Sequence, residues 1–282
     1  MSNTPAEIGK RAQLTVLKKT APGFFLDSLG ELGNILLPYN EVQGPCEVWE
    51  SVDVFIYCDS EDRPIATMKQ PKAMPGEFAC LECISATSIG SFLDWGLVKD
   101  LFIPFREQNS RIDVGKSYVV YVYVDEETDR IAASSRLNKF VVDSSPYFKV
   151  QQKVELLICE QTDLGYKAVV NQSVIGLLFN SDVIRPVRVG ETLQGYIKEV
   201  RSDKKLDLRL QLVSREALDD LSKQVMAFIQ SEGGKSTLTD KSAPADIAKQ
   251  FGVSKSSYKK ALGKLYQKRL IVIEKHQVTL VK

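Results

Sequence analysis

The stretch YVVYVYVDEETDRIAASSRL, residues 118–137, is an alternating apolar strand, an acidic turn and a second strand. The same order of parts occurs earlier in VFIYCDSEDRPIATMKQ, residues 54–70, and later in GYIKEVRSDKKLDLRLQ, residues 195–211, where the turn is basic. The chain therefore contains a candidate internal repeat.

Two further landmarks recur in the same order in all three copies. A glycine followed by a short strand occurs at residues 23–26, 90–93 and 165–168, and a hydrophobic strand follows at 35–38, 101–104 and 177–179. Each copy is about 70 residues of short alternating strands separated by turns, which suits a small five-stranded barrel of the oligonucleotide-binding (OB) type. The sequence predicts three such barrels in tandem.

The apolar period changes from strand-like to helical after residue 214. Ser242 and Pro244 indicate a helix start, and Gly252 and Ser254 indicate a turn and a new N-cap. A second helix and two short strands follow, which is the order of a winged helix. We therefore predict a multidomain, mainly β protein with barrels at residues 1–70, 71–144 and 145–213 and an α+β winged helix at 214–282.

The repeated motifs resemble the RNA-binding domain of ribosomal protein S-one. They are the glycine-led strand, the second hydrophobic strand, a Val-Gly pair before a long strand (residues 114–115 and 189–190) and the Asp-Arg hairpin. Three such units followed by a winged helix resemble the conserved virulence factor B family of bacterial RNA-binding proteins. The resemblance implies a non-enzymatic RNA-binding function without a cofactor.

In S-one domains, exposed aromatic side chains on the second and third strands stack on bases. By resemblance, the second-strand position falls on Phe25, Phe92 and Lys167. The third-strand position falls on Leu37, Ile103 and Phe179. Only the third barrel thus carries an aromatic residue at the third-strand position.

Charge is unevenly distributed along the chain. Residues 1–144 contain 14 basic and 21 acidic residues, net −7; residues 145–213 are net +2, and residues 214–282 are net +6. Single-stranded nucleic acid is held by aromatic faces in a basic groove, so RNA contact is expected mainly in the C-terminal half. The candidate residues of barrel 3 are Tyr166, Lys167, Phe179, Arg201, Lys204, Lys205 and Arg209. The alternative is that the two rings belong to the barrel core and that the cations form a solvated face.

The second helix of the winged helix carries lysines away from its apolar face. They are Lys255, Lys259, Lys260 and Lys264. We interpret this helix as phosphate-facing; the alternative is a solvent-facing helix in a module used for packing or protein contact. The helix N-terminus lacks an Arg or Asn cluster, which argues against sequence-specific base reading.

Several other functions are disfavoured by the sequence. The single CxxC, at Cys80 and Cys83, has no second CxxC, and the chain has one histidine, so neither a metal site nor a redox site is expected. The acidic residues of the 125–129 turn occupy an exposed hairpin tip and need no catalytic role. No signal peptide or membrane-length apolar run is apparent, and we expect a cytoplasmic protein with no membrane association.

The leading hypothesis is a protein that binds single-stranded RNA and regulates gene expression. The alternative is a DNA-binding transcriptional regulator that acts through the winged helix. A nuclease is disfavoured because no catalytic triad, histidine pair or carboxylate cluster is present. The sequence leaves the RNA targets and the oligomeric state open.

Overall fold

The computed structural model describes residues 5–142, 148–212 and 215–281, with residues 215 and 216 as backbone alone. Alternating apolar residues form three closed barrels of five strands, and a winged helix follows, as the sequence predicted. The chain divides into two compact units, one ending at Phe140 and the other beginning at Val141. Barrels 1 and 2 belong to the first unit; barrel 3 and the winged helix belong to the second.

Each barrel has the same topology. Barrel 1 consists of β1 (Arg11–Thr20), β2 (Gly23–Asp27), β3 (Asn34–Pro38), β4 (Ser51–Cys58) and β5 (Pro64–Thr67). Barrel 2 consists of β6 (Phe78–Ala86), β7 (Gly90–Asp94), β8 (Leu101–Pro104), β9 (Ser117–Asp125) and β10 (Arg130–Ser134). Barrel 3 consists of β11 (Lys153–Thr162), β12 (Gly165–Val170), β13 (Val174–Phe179), β14 (Thr192–Val200) and β15 (Leu206–Arg209). In every barrel the third and fifth strands pair in parallel, which closes the sheet.

The glycine that begins the second strand is required by the close approach of the third strand. A Cβ atom at Gly23 would lie 2.2 Å from the carbonyl oxygen of Leu37, and one at Gly165 would lie 2.1 Å from that of Leu178. At Gly90 the corresponding distance, to the carbonyl oxygen of Ile103, is 2.5 Å. No side chain fits at these distances, so the glycines fix the register of strands two and three.

A short 3-10 turn follows the third strand of each barrel and buries a carboxylate. The turns are Tyr39–Glu41, Phe105–Glu107 and Asn180–Asp182. Their last residues, Glu41, Glu107 and Asp182, are buried, and each is paired with a lysine. Because a buried carboxylate is costly without a partner, these pairs hold the turn against its barrel.

The winged helix consists of three helices and a three-stranded sheet. Its elements are α1 (Arg215–Ser231), β16 (Lys235–Ser236), α2 (Pro244–Phe251), α3 (Lys255–Gln267), β17 (Ile271–Ile273) and β18 (Val278–Leu280). The sequence predicted the β17–β18 hairpin, and β16 adds a third strand beside β18. The N-cap of α2 is Ala243 rather than Ser242, while Ser254 caps α3 by accepting a hydrogen bond from the backbone N–H of Ser257.

Candidate nucleic-acid interface

Phe179 lies at the end of β13 and points outward from barrel 3. Burial alternates along this strand, so that Leu178 is fully buried and Phe179 is half-buried on the opposite side. The Nζ of Lys198, on β14, lies 5.3 Å from the centre of the Phe179 ring. The same Nζ donates a hydrogen bond to Asp182 at 2.8 Å. A cation is thus held over an outward-facing ring, and single strands use cations and rings in combination.

The third-strand positions chosen from the sequence in barrels 1 and 2, Leu37 and Ile103, are one residue out of register with Phe179 of barrel 3. The glycine of the second strand pairs with Pro38 in barrel 1, with Pro104 in barrel 2 and with Phe179 in barrel 3. Leu37 and Ile103 are fully buried and correspond to Leu178. Because side chains alternate between the two faces of a strand, a slip of one residue exchanges a core position for an outward one.

The strand register gives Tyr166 an inward position at the end of barrel 3. It follows Gly165 as Phe24 follows Gly23 and Ser91 follows Gly90, and both of those residues are buried. Tyr166 itself is half-buried and packs against the core of barrel 3. A stacking role for Tyr166 stays a prediction, and only the accessible part of its ring is available for it.

Most cations named for barrel 3 have acidic neighbours. Lys167 lies on the outward side of β12 and pairs with Glu160 at 2.7 Å. In the β14–β15 hairpin, Arg201 lies 3.4 Å and Lys205 3.3 Å from the carboxylate of Asp203. Lys204 is exposed at the same hairpin tip. Exposed pairs of this kind are weak, so the cations remain able to exchange a carboxylate for a phosphate.

Arg209 lies on β15 two residues after Asp207, and thus on the same side of the strand. Asp207 is buried, and burial raises the pKa of its carboxyl group despite the nearby Arg201 and Lys198. Among the described residues, the Nε of Arg209 and Oδ1 of Asp207 are buried without a hydrogen-bond partner. Oδ1 of Asp207 lies 4.0 Å from Nη1 of Arg201, which is outside hydrogen-bond distance.

The lysines of α3 differ in solvent exposure and in ion pairing. Lys259 and Lys260 are exposed, whereas Lys255 is partly buried. Lys264 forms an ion pair with Asp219 of α1, so its charge is partly used inside the winged helix. The apolar face predicted from the sequence, with Tyr258, Ala261, Leu262 and Leu265, is buried. The lysines therefore lie off the core, as the helical period indicated.

Helix α3 lies beside barrel 3. Its backbone approaches the turn Asn180–Asp182, which directly follows Phe179, with α carbons within 8 Å. A hydrogen bond of 3.3 Å from Gln211 to the carbonyl of Gly252 joins the end of barrel 3 to the turn before α3. Barrel 3 and α3 thus form neighbouring parts of one surface, which no local sequence pattern indicates.

Barrel 1 also combines rings with cations. The Nζ of Lys18 lies 5.0 Å from the centre of the Phe25 ring, and the Nζ of Lys19 lies 5.8 Å from that of Tyr39. Both lysines are exposed, and neither has an ion pair among the described residues. The sequence reasoning named Phe25 but missed Lys18, Lys19 and Tyr39, because it judged the barrel by net charge rather than by the charges beside the ring.

Barrel 2 carries two phenylalanines on the corresponding face. Phe92 packs against Phe102, with ring centres 5.1 Å apart. Phe102 was missed because the misaligned register placed Ile103 at the outward position. A sequence signal for the correct register exists: an acidic residue stands three positions after Pro38, Pro104 and Phe179.

The CxxC of β6 shows no metal-binding arrangement. Cys83 donates a weak hydrogen bond to the carbonyl of Ser85 at 3.4 Å, and burial raises the pKa of both the Cys80 and Cys83 thiols. In the described part of the chain, no group of three or more His, Cys, Asp or Glu side chains could hold a metal ion. No helix among the described residues is long and apolar enough to cross a membrane.

Two segments of the chain match known domain families. Residues 8–69 match the S1 domain, the S-one type of barrel, and residues 223–280 match the CvfB-like winged helix domain. The chain thus has an S1 domain in barrel 1 and a winged helix at its C-terminal end. This combination supports nucleic-acid binding by the chain.

Two relatives align with this chain over most of its length and over most of their own. The YitL protein of Bacillus subtilis, described as uncharacterized, is 26% identical over 272 residues, which cover 91% of this chain and 88% of YitL. Conserved virulence factor B of Staphylococcus aureus is 25% identical over 255 residues, covering 84% of this chain and 81% of that protein. A crystal structure of a multidomain protein with nucleic acid binding domains from Streptococcus pneumoniae aligns at 22% identity over 97% of this chain and 98% of that one, with a TM-score of 0.43. The resemblance indicated by the sequence is therefore confirmed: the chain is similar to conserved virulence factor B over most of its length and shares the CvfB-like winged helix and the S1 domain.

Proposed function

We propose that this protein binds single-stranded RNA, without catalysing a reaction, and regulates gene expression in the cytoplasm. The strand would lie on barrel 3 and α3, where Phe179 stacks on a base and lysines contact phosphates. The regulatory role is part of this proposal, and the similar proteins of Staphylococcus aureus are named conserved virulence factor B.

The observation that carries the proposal is the position of α3 beside the turn that follows Phe179. Lys198 stands at the ring, and Lys259 and Lys260 are exposed on the neighbouring helix. A strand that stacks on Phe179 can therefore continue toward a second group of cations without leaving the same compact unit. Adjacent weak contacts of this kind add in affinity because the second is made at high effective concentration.

The DNA-binding alternative fits the structure less well. A helix that reads duplex DNA enters the major groove, which is about 12 Å wide and barely wider than a helix with its side chains. Helix α3 has barrel 3 beside it, and its first residues carry lysine and serine rather than Arg or Asn. The DNA-binding alternative can be tested as non-specific binding of α3 to the phosphates of duplex DNA.

The direct test is Phe179→Ala in the full chain. Loss of a stacked base should weaken binding of a single-stranded polypyrimidine RNA by roughly 5- to 150-fold, the equivalent of about 1 to 3 kcal/mol. The matched control is Phe105→Ala, because Phe105 is an exposed phenylalanine, 53% accessible, in the corresponding turn of barrel 2. Affinities for RNA, single-stranded DNA and duplex DNA are compared over one salt series.

Equal RNA affinity of Phe179→Ala and Phe105→Ala would overturn the assignment of the strand to barrel 3. Tighter binding of duplex DNA than of RNA at every salt concentration would favour the DNA-binding alternative. Thermal unfolding of each variant separates loss of a contact from loss of the fold.

A further inference from the structure

A cavity of about 790 Å³ opens on the outward face of β7 and β8 in barrel 2. One wall is the β4–β5 hairpin of barrel 1, and the others are β7, β8 and the β9–β10 hairpin of barrel 2. This volume lies within the roughly 300 to 1,000 Å³ of binding sites for small groups. All of the lining belongs to the first unit, whereas the surface proposed above belongs to the second.

The charged groups around the cavity leave one carboxylate without a partner. The lining cations are all engaged: Arg106 pairs with Asp125, Arg130 pairs with Asp62, and Lys99 donates a hydrogen bond to the backbone carbonyl of Asp59. The carboxylate of Asp59 is itself held by Arg63 at 2.7 Å. Asp100 also lines the cavity, and it has no hydrogen bond or ion pair among the described residues. A ligand that brings one positive charge would therefore complete the charge pairing of this cavity.

Asp100 also lies opposite a second carboxylate. Leu93 pairs with Leu101 in the antiparallel register, so that the next positions along the two strands are Asp94 and Asp100. Like charges directly opposite each other are destabilising, and Lys72 bonds to Asp94 alone, at 2.5 Å. Burial and the charge of Asp94 raise the pKa of the Asp100 carboxyl group. A cation at Asp100 would offset both effects.

Two aromatic rings lie beside Asp100 on the same outward face. Phe92 and Phe102 are two residues from Asp94 and Asp100 on their strands, and side chains two apart share a face. The ring centres are 5.1 Å apart, and both residues are half-buried. Ring faces attract cations, and the planar guanidinium of arginine also stacks on them. The cavity thus combines an unpaired carboxylate with the rings that a guanidinium contacts.

The edge of the cavity is apolar and lies in an acidic part of the chain. Ile89 and Val98 stand at this edge, and each is 64% accessible. Exposed apolar groups around a pocket are typical of protein interaction sites. Residues 1–144, which contain both barrels, have a net charge of −7. This charge favours a basic partner protein and opposes a chain of phosphates.

We propose that this cavity is a docking site for a partner protein and receives one of its arginine side chains, with the guanidinium on Asp100 and over the rings of Phe92 and Phe102. Arginine fits better than lysine, because its planar fork donates two parallel hydrogen bonds to one carboxylate. The partner's flanking residues lie on Ile89 and Val98. Docking here does not depend on RNA binding by barrel 3.

Trp95 lines the cavity and provides a local fluorescence reporter. The chain has two tryptophans, and Trp49 is 76% accessible, so Trp49→Phe leaves Trp95 as the sole tryptophan at little structural cost. The probe is a pentapeptide blocked at both termini, with a central arginine between alanines and a leucine at each end. The control peptide has citrulline in place of arginine, which keeps the shape and removes the charge. We expect a saturable change with the arginine peptide, at an affinity roughly tenfold or more above that of the citrulline peptide.

Asp100→Asn, added to Trp49→Phe, should weaken binding of the arginine peptide by roughly tenfold or more, because the amide carries no charge to pair with the guanidinium. The midpoint of thermal unfolding should not fall, since the substitution removes the repulsion from Asp94. Asp113→Asn is the matched control, because Asp113 is exposed in the same barrel and does not line the cavity.

Phe102→Ala tests the ring contact separately from the carboxylate. Loss of one ring under the guanidinium should weaken binding of the arginine peptide by roughly 2- to 30-fold. Phe179→Ala should leave the peptide response unchanged, which separates this site from the proposed RNA surface.

Four results would overturn the proposal. The first is the absence of a saturable response to the arginine peptide at concentrations up to roughly 10 mM. The second is equal affinity for the arginine peptide in Asp100→Asn and Asp113→Asn. Binding of blocked arginine alone as tightly as the pentapeptide would contradict a partner protein, since the apolar edge would then contribute nothing. A response of Trp95 to hexauridine RNA but not to the arginine peptide would return this face to RNA.

Discussion

Barrels 2 and 3 present the same strand face in different surroundings. In barrel 2, Phe92 and Phe102 lie in a cavity that an acidic hairpin of barrel 1 closes on one side. In barrel 3, Phe179 lies under Lys198 and beside a lysine-bearing helix. The two barrels share topology and register, so the difference comes from the residue at the strand end and from the neighbouring domain. The face of barrel 2 is thus partly enclosed, whereas the face of barrel 3 has cations beside its ring.

The buried carboxylate of the 3-10 turn explains part of this difference. Glu41 pairs with Lys69 and Glu107 with Lys139, and both lysines follow the fifth strand of their barrels. The partner of Asp182 is instead Lys198, on the fourth strand. In barrel 3 the lysine that pairs with the buried carboxylate therefore also lies over an outward ring, that of Phe179.

The largest expected effect tests the register on which the comparison of faces depends. Ile103→Ala removes a fully buried side chain and should cost about 2 to 5 kcal/mol of the free energy of unfolding. Phe102→Ala, one residue earlier on the outward face, should cost less. Urea denaturation of both variants measures the difference, and a greater loss from Phe102→Ala would reverse the assignment of faces.

Substitution of the buried carboxylate should affect only stability in barrel 2, at Glu107, but both stability and RNA binding in barrel 3, at Asp182. Burial raises the pKa of Glu107, but hydrogen bonds from Lys139 and Ser134 outweigh burial, and the pKa is lowered from its ordinary value of 4.5. The ionised group thus stabilises the fold above that pH, and the stability is lost as the pH falls through the lowered pKa. We expect Glu107→Gln to cost about 1 to 3 kcal/mol at neutral pH and to unfold with a weaker pH dependence below 4.5.

Asp182→Asn is the counterpart in barrel 3. It should change RNA affinity as well as stability, because it removes the partner that holds Lys198 at Phe179. Acid unfolding followed by circular dichroism, with RNA affinity measured in parallel, checks both variants. An equal RNA affinity for the two would remove the functional distinction between the pairs.

The two exposed lysines of α3 test whether the strand reaches the winged helix. Lys259→Gln combined with Lys260→Gln should lower the slope of log K against log salt by about 1.4, since each phosphate contact of a single strand contributes about 0.7. At 0.1 M salt the affinity should fall by roughly 25-fold. An unchanged slope would assign α3 to protein contact and leave barrel 3 to bind alone.

Lys264→Gln is expected to have the smallest effect on RNA binding. Its charge is already opposed by Asp219, and its side chain is 25% accessible. The main consequence should be a loss of up to about 1 kcal/mol in the stability of the winged helix. A loss of RNA affinity equal to that of the Lys259 and Lys260 pair would show that the ion pair opens on binding.

Much of the fold could be predicted from the sequence, because alternation, turn residues and helical period are local signals. The three barrels and the helix with its inner face at Tyr258 follow from them. Hydrophobicity alone could not decide which residue at the end of β13 points outward, since Leu177, Leu178 and Phe179 are all apolar. The position of α3 beside barrel 3, and the cavity of barrel 2, arise from packing between residues far apart in the chain. Composition also concealed the lysines beside Phe25, because a net charge averages over a surface.

The most direct measurement is photocrosslinking of a single-stranded RNA containing 4-thiouridine to the full chain, followed by identification of the crosslinked peptides. We expect crosslinks at the end of β13, around Phe179, and on α3 near Lys259, with none of comparable yield on Phe105. Crosslinks confined to residues 5–140, with barrel 3 and α3 unmodified at saturating RNA, would contradict the assignment of the strand to the second unit.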